Sequence, residues 1–324
     1  MRQLKIAILL PCFNEELTIA DVVKSFQQAV PGSVVYVYDN ASTDQTAARA
    51  QEAGALVAHE NRRGKGEVVR RMFADIDADI YVMADGDGTY DASYAPQLID
   101  KLTSKNLDMV VGTRQETAEE QDGDAYRRGH RFGNRLFNWF VALLFSRQFS
   151  DIFSGYRVFS RRFVKSYPAF AKGFEIETEM TIHSLDLRIP VAEFPTPYKA
   201  RPEGSESKLN SITDGFRILG TIFMLLKETK PIQFFTALFI LFAATSVALA
   251  VPLFISYLET GLVPRLPTAV LTTGIMLVGV VCFICGLILD SVSRGRREAK
   301  LLRYLSIPCV QEDLKGGRDA KVDT

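Results

Sequence analysis

The amino-acid sequence predicts an α/β protein: a mostly parallel, doubly wound sheet followed by a hairpin of two membrane-crossing helices. Two observations predict it. Strand-like and helix-like segments alternate over residues 4–112, the pattern of a parallel sheet with helices on its faces. Two uncharged apolar stretches, 232–258 and 266–289, then follow. Each is long enough to cross a hydrocarbon core of roughly 30 Å. A chain of 324 residues has room for about two such domains.

The elements of the sheet can be justified in order. Residues 4–10 (LKIAILL) are a continuous apolar run ended by Pro11, as in a strand buried on both faces. Residues 16–29 have helical spacing, with Leu17, Val22, Val23 and Phe26 as the apolar stripe. A β-branched and aromatic run over 34–38 predicts a second strand. Residues 44–53 are Ala-rich and helical, and 55–58 read as a short strand. Residues 66–76 are helical, with Val68, Val69, Met72 and Phe73 on one side. Strands follow over 80–84 and 108–112. The only repeat is the strand–helix unit itself.

The hairpin is read from length and charge. Its loop, 259–265, carries one basic residue, Arg265. Lys227 and Lys230 precede the first span, and Arg294, Arg296, Arg297, Lys300 and Arg303 follow the second. The positive-inside rule puts both flanks, and residues 1–230, in the cytoplasm. The expected organisation is a catalytic domain over 1–230, a hairpin over 231–290 and a basic tail over 291–324. The plasma or inner membrane is then crossed twice. The plain alternative is a buried helical hairpin of a soluble protein. Pro252 predicts a kink in the first span. Cys282 and Cys285 lie at lipid depth and read as small packing residues. No signal peptide is expected, because the apolar run at 6–10 is short and ends in a polar turn. The end of the chain, 312–324, is polar and is expected to be disordered.

Composition removes several function classes. Hydrophobic residues are 47% and charged residues 23%, which excludes a disordered chain. Lys plus Arg equal Asp plus Glu at 38 each, so no basic surplus marks a nucleic-acid partner. Four cysteines are too few for a disulfide scaffold in a chain this long.

The strand ends carry the chemistry, since ligands of such sheets bind at the carboxyl ends of the strands. The first strand ends in PCFNEE (11–16), the second in DNASTD (39–44) and the fourth in DGDGTYD (85–91). Ser42 or Asp44 can equally well cap the second helix. Asp39 is placed to accept hydrogen bonds from a base or ribose. Asp85-x-Asp87 is the sharpest signal. Two hard carboxylates just past a strand can hold Mg²⁺ or Mn²⁺ and leave positions open for phosphates. A cation there offsets charge growing on a diphosphate leaving group. Gly86 and Gly88 let the backbone turn closely. The plain alternative is an Asp-Gly turn. Gly64-Lys65-Gly66 lacks the spacing of a dinucleotide or P-loop site, yet its amides and Lys65 can meet a phosphate or sugar. His59, His130 and His183 are scattered, which argues against zinc.

Taken in order, PCFNEE, DNASTDQT, the DGD of ADGDGTYD, VVGTR, FSGYR and EGSESKL resemble the motifs of family 2 glycosyltransferases with the Rossmann-like GT-A fold. Within that family the chain is similar to the polyprenyl-phosphate glycosyltransferases, the group of dolichol-phosphate mannose synthases and bacterial lipid-linked hexose synthases. The resemblance covers residues 4–230 and the two-span hairpin. It implies that Pro11, Phe13, Glu15, Asp39, Lys65 and Asp85 face a nucleotide sugar. It implies metal binding at Asp85 and Asp87, and catalytic positions at Asp87, Arg114 and Arg127. It implies an acceptor loop over 115–131, in which Arg128 and Arg131 compete with Arg127 for the lipid phosphate. Arg201, Ser205 and Lys208 match a later phosphate-binding loop. One departure is Thr89, where relatives often have Gln.

The chemistry agrees. A polyprenyl phosphate is already an anionic nucleophile, so it needs positioning and charge management rather than a strong base. Arginine suits it because the planar fork holds two oxygens. Solvated surface charge is the plain alternative for some of these basic residues. Residues 132–147, with Trp139, are apolar but short for a span and predict an interfacial helix. Residues 209–227 repeat Ile212, Phe216, Leu219, Ile222, Phe223 and Leu226 at helical spacing and predict a juxtamembrane helix. Ordinary core packing is the alternative for both. Glu175, Glu177 and Glu179 suit a catalytic role or a helix face equally.

The leading expectation is inverting transfer of one sugar from a nucleoside diphosphate sugar, a UDP-sugar first, to a polyprenyl phosphate at a membrane. A processive polysaccharide synthase is the second, although the Q-x-x-R-W motif and extra spans are missing from the sequence. A non-catalytic membrane partner is the third. The resemblance also allows a homo-oligomer.

Overall fold

The computed structural model describes residues 4–116, 149–173, 175–199, 227, 229–263 and 265–310. Its strands are β1 (Ile6–Cys12), β2 (Val34–Asp39), β3 (Leu56–His59), β4 (Ile80–Met83), β5 (Met109–Glu116), β6 (Arg157–Ser160) and β7 (Val191–Tyr198). The helices described are α1 (Ile19–Ala29), α2 (Thr46–Glu52), α3 (Lys65–Asp75), α4 (Ala95–Ser104), α5 (Arg161–Ser166), α6 (Ile176–Asp186), α7 (Pro231–Thr260) and α8 (Leu266–Leu305). The strands form one sheet in the order β3-β2-β1-β4-β6-β5-β7. β1 pairs in parallel with β2 and β4, β2 with β3, and β5 with β7. Only β6 runs against its neighbours, β4 and β5. This is the mostly parallel GT-A arrangement that the sequence predicts.

Two strands outrun their predicted ends. β1 continues through Pro11, which pairs opposite Tyr38, to Cys12 opposite Asp39. The Leu9 carbonyl bonds Ala84 on the β4 side, and the Cys12 carbonyl bonds Asn40 on the β2 side. By the two-residue period, Pro11 faces the β4 side, where β4 has already ended at Met83 opposite Leu9. The N–H that proline lacks has no ladder partner there to lose. β5 continues to Glu116 because β7 pairs along it, from Met109 opposite Val191 to Glu116 opposite Tyr198.

The sheet is buried on both faces. Ile8, Leu10, Val82 and Val158 pack with Val23 and Phe26 of α1 in one cluster. Leu9, Tyr81 and Phe159 are equally buried, and Phe73 of α3 meets Phe159 with ring centroids 5.7 Å apart. Truncating a ring as deeply buried as Phe26 costs about 3–5 kcal/mol. Arg157 of β6 is fully buried. It donates to the Ser154 carbonyl at 2.8 Å, the Ile152 carbonyl at 2.6 Å and Thr181 Oγ1 at 3.0 Å. It thereby ties the 151–155 turn to α6.

Residues 1–211 and 300–324 form one compact unit and residues 212–299 another. Within the second, α7 and α8 meet at small residues. Gly279 lies against Phe239 and Phe242, and Gly286 against Phe235. Ser246 Oγ donates across to the Thr272 carbonyl at 2.8 Å. α7 runs through Pro252 without ending. Both helices are long and apolar enough to cross a membrane, and little of either apolar stretch is buried. α8 continues beyond the apolar stretch to Leu305, so 290–305 is also helical. Its sequence there is rich in helix formers, and Arg294 pairs with Asp290 one turn earlier at 2.7 Å. In the first unit, the Tyr304 hydroxyl donates to Asp108 Oδ2 at 2.5 Å.

Candidate active site

The carboxyl ends of β1, β2 and β4 meet at one edge. The two loops after β1 and β2 are cross-linked by their own polar groups. Asn14 N donates to Ser42 Oγ at 2.9 Å, and Thr43 N donates back to Asn14 Oδ1 at 2.8 Å. Glu15 N donates to Thr46 Oγ1 at 2.8 Å, and Glu16 N to Asp44 Oδ2 at 3.2 Å. Asn14 takes a left-handed backbone, with φ of 52°, which asparagine tolerates. Ser42 therefore joins loops instead of capping α2. Asp44 does both, since its Oδ1 accepts from Thr46 N at 3.0 Å.

Cys12 lies at the centre of this edge. Burial pushes its thiol well up, and Glu15, Asp85, Asp39 and Asp87 each push it further. Asp39 pairs opposite Cys12 on β2, and Gly86 between the two aspartates of the fourth strand end meets its Sγ. Asp39 is buried, and its Oδ2 accepts from Ser42 N at 3.2 Å and lies 3.3 Å from His59 Nδ1. Its Oδ1 is buried without a hydrogen-bond partner. A buried acceptor left this way costs free energy that a ligand donor can recover. The Phe13 ring carries the Arg63 guanidinium 4.7 Å from its centroid. Asn40 holds the loop that brings Arg63 there. It donates to the carbonyls of Glu60 and Arg62 at 3.0 and 2.7 Å and accepts from Gly64 N at 2.7 Å.

The Asp85–Asp87 loop sits on this floor. Thr18 Oγ1 donates to the Gly86 carbonyl at 2.7 Å. A Cβ at Gly86 would come 2.5 Å from Cys12 Sγ, and Gly88 has φ of 75°, so both glycines are required by space or backbone. Asp87 is buried, and its Oδ1 accepts from Thr89 N at 3.1 Å and Thr89 Oγ1 at 2.6 Å. Thr89 therefore orients the second aspartate. Among the described residues no cluster of three or more metal-ligating side chains occurs. Two oxygen-donor carboxylates still fit Mg²⁺ or Mn²⁺, which bind through one or two carboxylates plus substrate phosphates and water.

Lys65 reaches the same carboxylates from α3. Its ammonium pairs with Asp85 Oδ1, and with Glu177 Oε1 of α6 at 2.5 Å. Burial disfavours the charged amine, but Asp85 and Glu177 outweigh it and hold its pKa above the ordinary lysine value. Burial conversely raises the Glu177 carboxyl, against the pull of Lys65. The flanking glycines serve packing. A Cβ on Gly64 or Gly66 would collide with the backbone of Lys172 or Ala171. The Gly64 and Gly66 amides donate to Asn40 Oδ1 and to the Lys172 carbonyl, at 2.7 and 3.1 Å. Those two amides are thus spent inside the protein and are not open to a phosphate.

Arg114 of β5 makes a two-pronged pair with Asp151, from Nε to Oδ2 at 2.7 Å and from Nη2 to Oδ1 at 2.8 Å. It also lies 5.5 Å from the Tyr198 ring centroid. Burial works against its charge, but Asp151 more than offsets this and raises its pKa. Tyr90 packs edge-on against Tyr198, with ring centroids 5.5 Å apart. Burial and then Asp85 push its hydroxyl up, while Arg114 and Lys65 pull it down. Its hydroxyl accepts from Gly155 N at 2.9 Å.

Of the sequence-predicted residues, Pro11, Phe13, Glu15, Asp39, Lys65, Asp85, Asp87 and Arg114 belong to the described part of the chain. Arg127, Arg128, Arg131, Arg201, Ser205 and Lys208 lie outside the described residues, as do the helix predicted over 132–147 and nearly all of that over 209–227. Glu177 and Asp151 are additions from the structure. Of the three glutamates in GFEIETEM, Glu175 accepts from Gly173 N at 3.1 Å and Glu179 from Ala171 N at 2.7 Å. Both hold the 170–173 loop, and only Glu177 reaches Lys65.

The comparisons with known proteins agree with this geometry. A family model described as glycosyl transferase family 2 matches residues 7–167. The glycosyltransferase AglJ of Haloferax volcanii is 37% identical over 253 residues, covering 78% of this chain and 81% of that one. A dolichyl-phosphate hexose transferase of the same organism is 26% identical over 213 residues, 66% of this chain and 90% of that one. Among solved structures, the glucosyl-3-phosphoglycerate synthase of Mycobacterium tuberculosis, in complex with Mn²⁺, UDP and glucosyl-3-phosphoglycerate, aligns with a TM-score of 0.55. It is 25% identical and covers 70% of this chain and 80% of that one. Fold, strand-end chemistry and relatives together establish that this chain belongs to glycosyltransferase family 2.

Proposed function

We propose that the protein transfers a single hexose-type sugar from a nucleoside diphosphate sugar to a polyprenyl phosphate at a membrane surface. One observation carries the reading. The edge of β1, β2 and β4 gathers a buried acceptor without a partner, Asp39 Oδ1, and the Asp85–Asp87 loop on either side of Cys12, which pairs opposite Asp39 and whose Sγ meets Gly86. That edge offers a donor-hungry carboxylate to a base or ribose and two hard carboxylates to a metal-bound diphosphate. Mn²⁺ and UDP in the mycobacterial synthase support a divalent cation and a uridine donor. The dolichyl-phosphate hexose transferase supports a polyprenyl phosphate as acceptor.

Each group has a part. Asp39 and Phe13 hold the nucleoside. Asp85 and Asp87 would hold Mg²⁺ or Mn²⁺, which supplies charge neutralisation at the diphosphate when bound. Lys65 presents an ammonium to the same diphosphate. Arg114, with Arg127, Arg128, Arg131, Arg201, Ser205 and Lys208, orients the phosphate oxygen that attacks the anomeric carbon. The attacking oxygen enters opposite the nucleoside diphosphate, so the anomeric centre inverts. No general base is needed, because a phosphate is already ionised near neutral pH. α7 and α8 cross the membrane twice, leave both flanks in the cytoplasm and keep the catalytic unit within reach of a lipid headgroup.

The test uses purified full-length protein in detergent with undecaprenyl phosphate, Mg²⁺ or Mn²⁺, and a panel of labelled nucleotide sugars. Label should enter the organic phase from one donor and disappear in Asp87→Ala. Label in a water-soluble polymer would overturn single transfer to lipid. Lipid product made equally well by Asp87→Ala would overturn the assignment of the metal loop.

A further inference from the structure

The buried Lys65–Asp85–Glu177 group holds more than the transfer reaction requires. A lysine meant only to meet a diphosphate needs no carboxylate of its own. Lys65 instead bridges two, one from the metal loop and one from α6. The side chain of Lys65 is 9% exposed and that of Glu177 is 4% exposed, while that of Asp85 is 28% exposed. Glu177 is thus the interior partner and Asp85 the one that opens towards the ligand side. Gly155 confirms how closely the group is fitted. A Cβ there would come 2.9 Å from Asp85 Oδ2 and 3.1 Å from Lys65 Nζ.

An ammonium and a divalent cation compete for the same carboxylate. When a cation takes Asp85, the buried ammonium loses one of the two carboxylates it bridges, and a poorly compensated buried charge is costly. Glu177 is the carboxylate that remains. We propose that Lys65 is the resident counter-ion of Asp85, and that Glu177 is the positioning residue that retains its ammonium when a divalent cation displaces it. Without Glu177 the ammonium leans more heavily on Asp85 and opposes cation entry. Without Lys65, Asp85 loses the ammonium beside it and draws the cation in. The two substitutions should therefore move cation affinity in opposite directions, although both remove the same ion pair. Loss of structural support alone would weaken binding in both. This inference rests on the reading of Asp85 and Asp87 as the cation site.

The experiment is a titration of Mn²⁺ alone, with no donor, into purified full-length protein. Free Mn²⁺ is read by its electron paramagnetic resonance signal. Glu177→Gln should weaken binding about tenfold, the scale on which partners behind a ligand tune metal sites. Lys65→Met should bind more tightly than the wild type. Glu177→Asp, which keeps the charge, should stay closer to the wild type than Glu177→Gln does. Thermal unfolding of each variant checks that it is folded, and Lys65→Met against the wild type decides the matter if Glu177→Gln is not, tighter binding supporting the inference and unchanged binding overturning it. Equal affinity in wild type and Glu177→Gln, with binding lost in Asp87→Asn, would overturn the inference alone. Weaker binding in both Glu177→Gln and Lys65→Met would do the same. No Mn²⁺ binding by the wild type would overturn the cation reading itself.

Discussion

Arg114 and Asp151 meet fork to fork, with both carboxylate oxygens engaged at 2.7 and 2.8 Å. The pair holds a guanidinium beside the Tyr198 ring, which itself packs against Tyr90. Lysine has one ammonium and cannot reproduce two parallel bonds. Arg114→Lys should lower kcat about 100-fold, on the scale seen when one preorganised donor is removed. Turnover at saturating donor is the readout, and a change confined to donor KM would refute the role.

Asp39 offers an acceptor with no partner in the protein. Asp39→Asn turns part of that carboxylate into a donor and removes its charge. Donor KM should rise about tenfold, the loss of one hydrogen bond to a charged group, while kcat at saturation holds. An unchanged KM across the nucleotide panel would place the nucleoside elsewhere.

Gly86 has no side chain because Cys12 fills the space, with Sγ 2.5 Å from where a Cβ would stand. Gly86→Ala should displace the Asp85–Asp87 loop and lower activity about 100-fold, as small misplacements of a catalytic group do. The double variant Cys12→Ala/Gly86→Ala should recover much of it. A double variant no better than Gly86→Ala would show that backbone conformation, not the contact, requires glycine.

His183 is buried against Phe163 and Tyr167, with Nε2 unpartnered. Burial, with a smaller push from Lys300, lowers its pKa from 6.5 to about 3. The sign follows from proton counting. Below 6.5 the unfolded chain binds a proton that the folded one refuses, so stability falls as pH drops through the window from 6.5 to about 3. The slope approaches about 1.4 kcal/mol per pH unit. The unfolding midpoint of the wild type should fall between pH 7 and 5, and that of His183→Phe should fall less. Parallel curves would mean that His183 is charged in the folded state.

Much of this site was legible along the chain. PCFNEE, the DNASTD turn and DGDGTYD each follow directly on a strand, and parallel strands bring their carboxyl ends to one edge. Adjacent residues therefore suffice to place Asp39, Asp85 and Asp87 together. Pro11 misled as a strand terminator, because whether its missing N–H matters depends on where β4 ends. β6 and β7 were illegible, since an antiparallel insertion breaks the strand–helix alternation. The apolar span to 289 was legible, whereas the helix that carries it on to Leu305 was not, because hydropathy does not register a helix that stays rich in Arg, Glu, Lys and Leu.

The α/β class, the two long apolar helices and the acidic strand ends were readable along the chain. Each of these follows from residues close together in the chain, through periodicity, run length and turn chemistry. That Glu177, and not Glu175 or Glu179, meets Lys65 came from the packed fold. It alone decided that Arg114 finds Asp151 and that Cys12 dictates glycine at 86. Those contacts join distant segments across a packed interior. Which side chain arrives there is set by how α6 and the 151–155 turn lie on the sheet, and no local pattern encodes that.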